Sequence, residues 1–251
     1  MKKLLITAGI TLGLVLAVSA YAATTSALFG GAYLNENGVV LVSNVSNNPG
    51  VTDDDYSGVD FDVHMLFDDL VYLATDYNVT DDDCGGGSPR FQLNVDTTGD
   101  GNSNGNVFVY IGPSPSYVDC APDWQSTGNL VINPSPIFDT SQLGGSFYNT
   151  HAQALALLTG HNIVGVQLVS DSGWHAGAAS GDGEQTVWVN NVIINEESFA
   201  FAPPTRLSQC LREGWQNFNG NAFRNQGNCM SYVVHQIVQD KLDRAHDRLP
   251  F

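Results

Sequence analysis

Several aromatic side chains of this sequence lie in stretches rich in aspartate, asparagine, glycine and proline, which indicate loops. The three candidates are Tyr117, Trp124 and Trp174. Flat rings beside carboxylates and amides suit sugar recognition, because a ring stacks on the apolar face of a pyranose while the polar groups bind its hydroxyls. These three residues are therefore predicted to bind a ligand. The alternative is that such rings cover the ends of an apolar core.

A second candidate site is the segment Asp96–Asn106, in which oxygen-bearing side chains alternate with glycine. This segment resembles the calcium loops of EF-hand and dockerin-like sequences. The resemblance assigns Asp96 to the first ligand position, Asp100 to the fifth and Asn104 to the ninth. Asn102 would offer its backbone carbonyl. The resemblance implies that calcium is a structural cofactor.

Two positions depart from the pattern of those calcium loops. Thr98 stands at the third ligand position, and Val107 replaces the bidentate acid at the twelfth. The segment also lies between predicted strands rather than between helices. The alternative is a polar hairpin turn, which asparagine, aspartate and glycine form readily, so both interpretations are open.

Charge is distributed very unevenly along the chain. Residues 23–205 contain 22 acidic side chains and one basic side chain, Arg90, and the full chain has a net charge of −17. A surface this acidic repels nucleic acid and anionic lipid and attracts cations. Nucleic acid is therefore excluded as a partner.

Signatures of catalysis are scarce in the sequence. It has no G-x-S-x-G, no H-E-x-x-H and no strand with paired glutamates, and its six histidines are scattered. A triad can still assemble from distant positions, because triads are defined by geometry. A non-catalytic role is favoured, with an extracellular hydrolase as an open alternative.

The first 22 residues have the pattern of a secretory signal peptide. Lys2 and Lys3 precede an apolar stretch, and Ala20-Tyr21-Ala22 is a small-x-small cleavage site. The apolar stretch is shorter than the ~20 residues that a membrane span needs. The mature chain is therefore expected outside the bacterial cytoplasm, secreted or at the cell surface, with no membrane span.

All four cysteines lie in the exported part of the chain, which favours two disulfides. Three pairings are possible, and proximity within each charge region favours Cys84–Cys120 and Cys210–Cys229. The spacing typical of a zinc site is absent.

Short apolar or alternating runs, separated by turn residues, dominate between Ala32 and Ile194. This pattern predicts an all-β fold, an antiparallel β-sandwich, over residues 23–200. The predicted strands are Gly38–Val45, Val59–Leu66, Arg90–Val95, Asn106–Ile111, Asn129–Ile132, Ile163–Val169 and Gln185–Asn195. One helix, capped by Thr150, is predicted over His151–Leu158.

The remaining chain is predicted to be a linker, residues 201–206, and a C-terminal module, residues 207–251. Within the module, apolar residues recur at three- and four-residue spacing between Asn225 and Arg248, which predicts an amphipathic helix.

Two stretches resemble secreted bacterial proteins. Thr186–Asn195 is similar to the last strand of jelly-roll and concanavalin-like modules, which implies a jelly-roll-like sandwich. The run Cys210-Leu211-Arg212-Glu213-Gly214-Trp215 with Phe223-Arg224-Asn225-Gln226-Gly227-Asn228-Cys229 resembles a short C-terminal module of uncharacterised secreted bacterial proteins. That resemblance implies an accessory segment and supports the Cys210–Cys229 bridge.

The sequence thus predicts a secreted, non-catalytic binding protein whose ligand is a glycan or another cell-surface component. The first alternative is a structural or adhesive surface protein that binds a protein partner through its C-terminal module. The oligomeric state is not predicted.

Overall fold

The computed structural model confirms the predicted fold class. The described residues are 26–35, 37–44, 56–85, 87–171, 184–199, 201, 204, 206–212, 215, 223 and 225–246. In this part of the chain the protein is an all-β sandwich, in which two antiparallel sheets pack on one apolar core. The predicted signal peptide and Trp174 lie outside the described residues.

Thirteen strands form the two sheets of the described chain. They are β1 (Ser26–Gly30), β2 (Tyr33–Asn35), β3 (Gly38–Asn44), β4 (Tyr56–Phe61), β5 (Met65–Leu66), β6 (Leu73–Asp81), β7 (Arg90–Asp96), β8 (Gly105–Tyr110), β9 (Gln125–Ser126), β10 (Phe138–Asp139), β11 (Asn162–Asp171), β12 (Glu184–Ile194) and β13 (Glu197–Phe199). The seven-stranded sheet has the order β1-β4-β11-β7-β8-β10, and β5 also pairs with β11. The six-stranded sheet has the order β2-β3-β12-β6-β9, and β13 also pairs with β12.

The alternation of side chains along the strands explains the sandwich. In β7, Phe91, Leu93 and Val95 are fully buried, while Arg90 and Gln92 are only partly buried. Successive side chains of a strand point to opposite faces, so one face of β7 enters the core and the other faces outward. The sequence pattern predicts this strand, and the structure confirms it.

Several stretches differ from the sequence-based prediction, among them residues 62–64, which interrupt the predicted strand Val59–Leu66 between β4 and β5. The predicted strand at Asn129–Ile132 is wrong, because Leu130–Ile132 forms a 3₁₀ turn and the side chain of Asn129 accepts a hydrogen bond from the N–H of Val131. Conversely, β6 was not predicted, although it lies between β12 and β9 in the six-stranded sheet. Its outward positions carry Asp76 and Asn78, residues that are uncommon in strands and obscure the pattern.

A buried polar network crosses the interior between the two sheets. The side-chain oxygen of Gln185 accepts hydrogen bonds from the hydroxyls of Ser88 at 2.7 Å and Ser170 at 2.6 Å. Its amide nitrogen donates to the carbonyl of Asp83 at 2.6 Å. Gln185 and Ser170 are fully buried, so the network satisfies polar groups that water cannot reach.

Helices are few and lie outside the two sheets. Helix α1 (His151–Leu158) is capped by Thr150, as the sequence predicts, and Gln153 completes a capping box in which the two residues satisfy each other's backbone N–H groups. The C-terminal region contains α2 (Leu207–Cys210) and the longer α3 (Gln226–His246). None of the described helices is long and apolar enough to cross a membrane.

Both predicted disulfides are present, Cys84–Cys120 and Cys210–Cys229. The second bridge belongs to a small apolar cluster with Phe223 and Val233. In the described chain this cluster shares no buried residue with the sandwich core. The C-terminal region therefore has its own small core, built around a disulfide.

Candidate functional site

Polar side chains form a continuous row across the outer face of the seven-stranded sheet. Gln167 of β11 lies opposite Asp60 of β4 and opposite Gln92 of β7. Its amide nitrogen donates to a carboxylate oxygen of Asp60, and its oxygen accepts from the amide nitrogen of Gln92 at 2.7 Å. Both ends of the Gln167 amide are thus occupied, which fixes the row in one orientation.

An ion pair lies beside this row on the same face. The guanidinium of Arg90 donates to the carboxylate of Asp171 and, at 3.2 Å, to the carbonyl of Gly87. The same guanidinium lies 4.5 Å from the centre of the Phe108 ring. Because the Arg90 side chain is 12% exposed, these contacts hold the single base of the acidic region in place and balance its charge.

Aromatic rings border the polar row on two sides. On the β1 side, the rings of Phe29 and Tyr56 lie 5.9 Å apart, and Tyr56 is 57% exposed. On the β8 side, Tyr110 contacts Tyr117, and Tyr117 stacks on Tyr148 with ring centres 5.7 Å apart. The outer face therefore combines open rings with fixed polar groups.

Tyr110 connects this aromatic border to β10, the last strand in the order of this sheet. Its hydroxyl donates to the carboxylate of Asp139 at 2.8 Å. Burial, together with this bond and the negative charge of Asp139, raises the pKa of the Tyr110 hydroxyl. Tyr110 is therefore a neutral hydrogen-bond donor over the whole physiological pH range.

The row, the ion pair and the β1-side rings together line a depression of about 490 Å³. We call this depression the sheet-face site. Its lining residues are Phe29, Tyr56, Asp60, Arg90, Gln92, Gln167, Val169 and Asp171.

Two of the predicted ligand-binding residues, Trp124 and Tyr117, belong to the described chain, and neither of them lines the sheet-face site. Trp124 is 42% exposed and lines a separate groove of about 520 Å³ on the six-stranded sheet. Tyr117 is only 5% exposed, and its hydroxyl donates to the carbonyl of Pro136 at 2.9 Å. Tyr117 therefore supports the exposed ring of Tyr148 and offers no open face of its own.

The Asp96–Asn106 segment is the turn between β7 and β8, and its side-chain oxygens accept hydrogen bonds from the backbone. The Asp96 carboxylate accepts from the N–H groups of Thr98, Gly99 and Gly101 at 2.7–2.9 Å. Burial by itself raises the pKa of Asp96, but the bonds from Gly101, Gly99 and Thr98 together outweigh it and lower that pKa.

The other proposed calcium ligands have similar partners. The side-chain oxygen of Asn104 accepts from the N–H of Thr97 at 2.7 Å, and Asp100 accepts from the N–H of Asn102 at 2.9 Å. These bonds explain the shape of the turn without a cation, and calcium binding here stays a prediction.

Among the described residues, one group of three metal-ligating side chains lies close together, Asp83 with Cys84 and Cys120. It is not a metal site of the usual kind, because the two cysteines are bonded to each other and offer no thiolate. The Asp83 carboxylate instead accepts from the N–H groups of Cys84, Asp119 and Cys120, each at 2.7 Å. These bonds, with the disulfide, attach the segment before Trp124 to the end of β6.

Sequence reasoning missed the polar residues of the sheet-face site. The alternation in β7 places Arg90 and Gln92 outward, so part of the signal was in the sequence. The pairing of β11 between β4 and β7, which places Gln167 between Asp60 and Gln92, depends on the sheet order. Comparison of the chain with protein-family models, with curated proteins and with solved structures finds no match.

Proposed function

We propose that this is an exported, non-catalytic protein that binds a neutral glycan at the sheet-face site. The observation that carries the proposal is the hydrogen-bonded row Asp60–Gln167–Gln92 beside the exposed Tyr56 ring. The fixed amide and carboxylate groups would bind sugar hydroxyls, and the ring would stack on an apolar sugar face. Export is consistent with the two disulfides.

The dimensions of the site favour a short stretch of a linear glycan. Neighbouring strands are ~4.8 Å apart, and the row from Asp60 on β4 to Gln92 on β7 crosses two such spacings. The row is therefore ~10 Å long. A neutral glycan is favoured over one with carboxylates or sulfates, because the net charge of −17 repels anions.

Binding is favoured over hydrolysis because Asp60 and Asp171, the carboxylates among the described lining residues of the site, are far apart. Asp60 lies opposite Gln167, and Asp171 is four residues further along β11, which corresponds to ~13 Å. Glycosidases that use a pair of carboxylates hold them at most ~9.5 Å apart. Each carboxylate also has a protein partner already, Gln167 for Asp60 and Arg90 for Asp171.

The test is a panel of neutral and anionic polysaccharides and oligosaccharides presented to residues 23–251. We expect binding of a neutral glycan and a loss of about fivefold in affinity for Gln167→Ala, because one hydrogen-bonding side chain contributes about 1 kcal/mol. Gln236→Ala is the matched control, since Gln236 is exposed on α3. If a neutral glycan binds equally well to both variants and to the wild type, the sheet face is not the site.

A second candidate function is docking of a protein partner at the cell surface, and one observation favours it. Apolar side chains of α3 are exposed along one row: Val234 is 48% exposed, Ile237 39%, Val238 46% and Leu242 57%. Clustered apolar exposure of this kind marks interaction surfaces. Removal of residues 207–251 separates the two functions, because glycan binding would survive it and docking would not.

A further inference from the structure

The groove on the six-stranded sheet differs from the sheet-face site in its charge. Its lining residues are Asn37, Asp76, Trp124, Gln125, Ser126, Asn190 and Asn191. Among the described residues, this lining has one carboxylate and no lysine, arginine or histidine. The sheet-face site, in contrast, balances its carboxylates with Arg90.

An irregularity in β12 shapes this groove. Between Asn190 and Ile193, β12 has one residue more than the paired stretch of β6, which is a β-bulge. Within the bulge Asn191 has a φ of 49°, a left-handed conformation that is uncommon outside glycine. The bulge directs the Asn191 amide to Asp76, and its nitrogen donates to a carboxylate oxygen of Asp76 at 2.7 Å.

Hydrogen bonds of Asn190 and the pairing of β9 with β6 fix the other residues that line the groove. The side chain of Asn190 donates to the carbonyl of Asn37 at 3.0 Å and accepts from the N–H of Asn191 at 2.8 Å. Strand β9 pairs with β6 so that Gln125 lies opposite Tyr77 and Ser126 opposite Asp76. This pairing places Trp124, the residue before β9, beside the groove.

The polar atoms left for a ligand are mostly acceptors. Among the described residues, nothing donates to the second carboxylate oxygen of Asp76 or to the side-chain oxygens of Asn191 and Gln125. A ligand for this groove must therefore bring hydrogen-bond donors. A positively charged donor is favoured further, since none of the described lining residues places a basic group beside Asp76.

The ring of Trp124 also favours a positively charged ligand. The face of an indole attracts a cation within about 6 Å of the ring centre, and tryptophan does so more strongly than tyrosine or phenylalanine. The same flat ring also packs on the apolar face of a sugar ring. A carboxylate, amide acceptors and an indole in one groove match a sugar that carries a protonated amine.

We infer that the groove on the six-stranded sheet is a second binding site and that it is selective for an amino sugar. The Trp124 ring, the Asp76 carboxylate and the side-chain oxygens of Asn191 and Gln125 provide this selectivity. The inference does not depend on the sheet-face site, because the two sites lie on different sheets and have none of their described lining residues in common.

The test compares two oligosaccharides that differ only in acetylation, a glucosamine tetramer and an N-acetylglucosamine tetramer, at a pH that keeps the free amines protonated. Isothermal titration calorimetry on residues 23–251 should show at least about tenfold tighter binding of the free-amine form. Added salt should weaken that binding, because screening reduces an exposed charge–charge attraction. Equal affinity for the two tetramers would overturn the inference.

Variants of the groove assign the binding to its residues. Asp76→Asn should remove most of the preference for the free amine, and Trp124→Ala should weaken both tetramers. Trp124→Phe keeps an aromatic ring and should be intermediate, which guards against a folding defect in the alanine variant. Gln236→Ala, at an exposed position on α3 outside both sites, should leave the amine preference unchanged. Unchanged binding by Asp76→Asn and Trp124→Ala, or tighter binding of a lysine-rich peptide than of the glucosamine tetramer, would contradict the proposal.

Discussion

The carboxylate of Asp96 accepts three backbone N–H groups within one turn, and this arrangement makes the turn sensitive to pH. Its pKa is lowered in the folded protein. A group with a lowered pKa stabilises the fold above its unfolded pKa, about 3.9 for aspartate, and this contribution is lost as the pH falls through the folded pKa. The turn should therefore weaken below about pH 4.

We expect Asp96→Asn to lower the Tm by several degrees at neutral pH. The amide lacks the negative charge that strengthens these hydrogen bonds, and its NH₂ group would face backbone N–H groups, which are also donors. The variant should also show a smaller loss of stability between about pH 4 and more acidic pH. Thermal melts across this range measure both effects. Asp100→Asn is the control, since Asp100 accepts a single bond at an exposed position. An Asp96→Asn variant that melts like the wild type would contradict this role.

The same variant tests the calcium prediction. If calcium binds to the Asp96–Asn106 turn, calcium raises the Tm of the wild type and a chelator lowers it, while Asp96→Asn responds to neither. A wild-type Tm that calcium and chelator leave unchanged would leave the turn as a hydrogen-bonded hairpin connection.

The strands of the two sheets are connected internally by Gln185 of β12, which bonds to Ser170 of β11 and to Ser88, two residues before β7. Because Gln185 is fully buried, its removal leaves these hydroxyls without their acceptor. We expect Gln185→Leu to lower the free energy of unfolding by about 1–3 kcal/mol, the cost of unsatisfied buried polar groups. Urea denaturation measures it.

Ser170→Ala should have a smaller effect than Gln185→Leu, because it removes one donor of the network and leaves Ser88 and the carbonyl of Asp83 bonded to Gln185. A Gln185→Leu variant as stable as the wild type would show that apolar packing replaces the network, as occurs at some buried polar sites.

The whole molecule contains two separate apolar clusters, one in the sandwich and one around the Cys210–Cys229 bridge. Phe201, which is 2% exposed, belongs to the sandwich core. A chain that ends at residue 206 should therefore keep the sandwich folded, with a Tm within a few degrees of the full chain and unchanged glycan binding. Calorimetry checks this, and a chain ending at residue 198, which lacks Phe199 and Phe201, is the control that should be destabilised. A sandwich that unfolds when residues 207–251 are removed would contradict the independence of the two clusters.

Much of the architecture was determined by local sequence patterns. Alternation in β7 predicted a half-buried strand, Thr150 predicted the start of α1, and cysteine proximity predicted both disulfides. These features depend on residues close together in the chain, so their physical causes can be recognised in the sequence. The turn at Leu130–Ile132 was mistaken for a strand because a short apolar run has no period that distinguishes the two.

The candidate sites were decided by the tertiary structure. Gln167 forms hydrogen bonds with Asp60, which is more than 100 residues away in the sequence, and with Gln92, which is 75 residues away. Both bonds form because β11 lies between β4 and β7 in the sheet. Asp76 meets Asn191 only because β12 has a bulge where it pairs with β6. The sequence by itself determined the acidic charge, the disulfides and the faces of individual strands. Strand order and register determined which polar side chains meet, because that choice depends on the packing of the whole core and not on any local pattern.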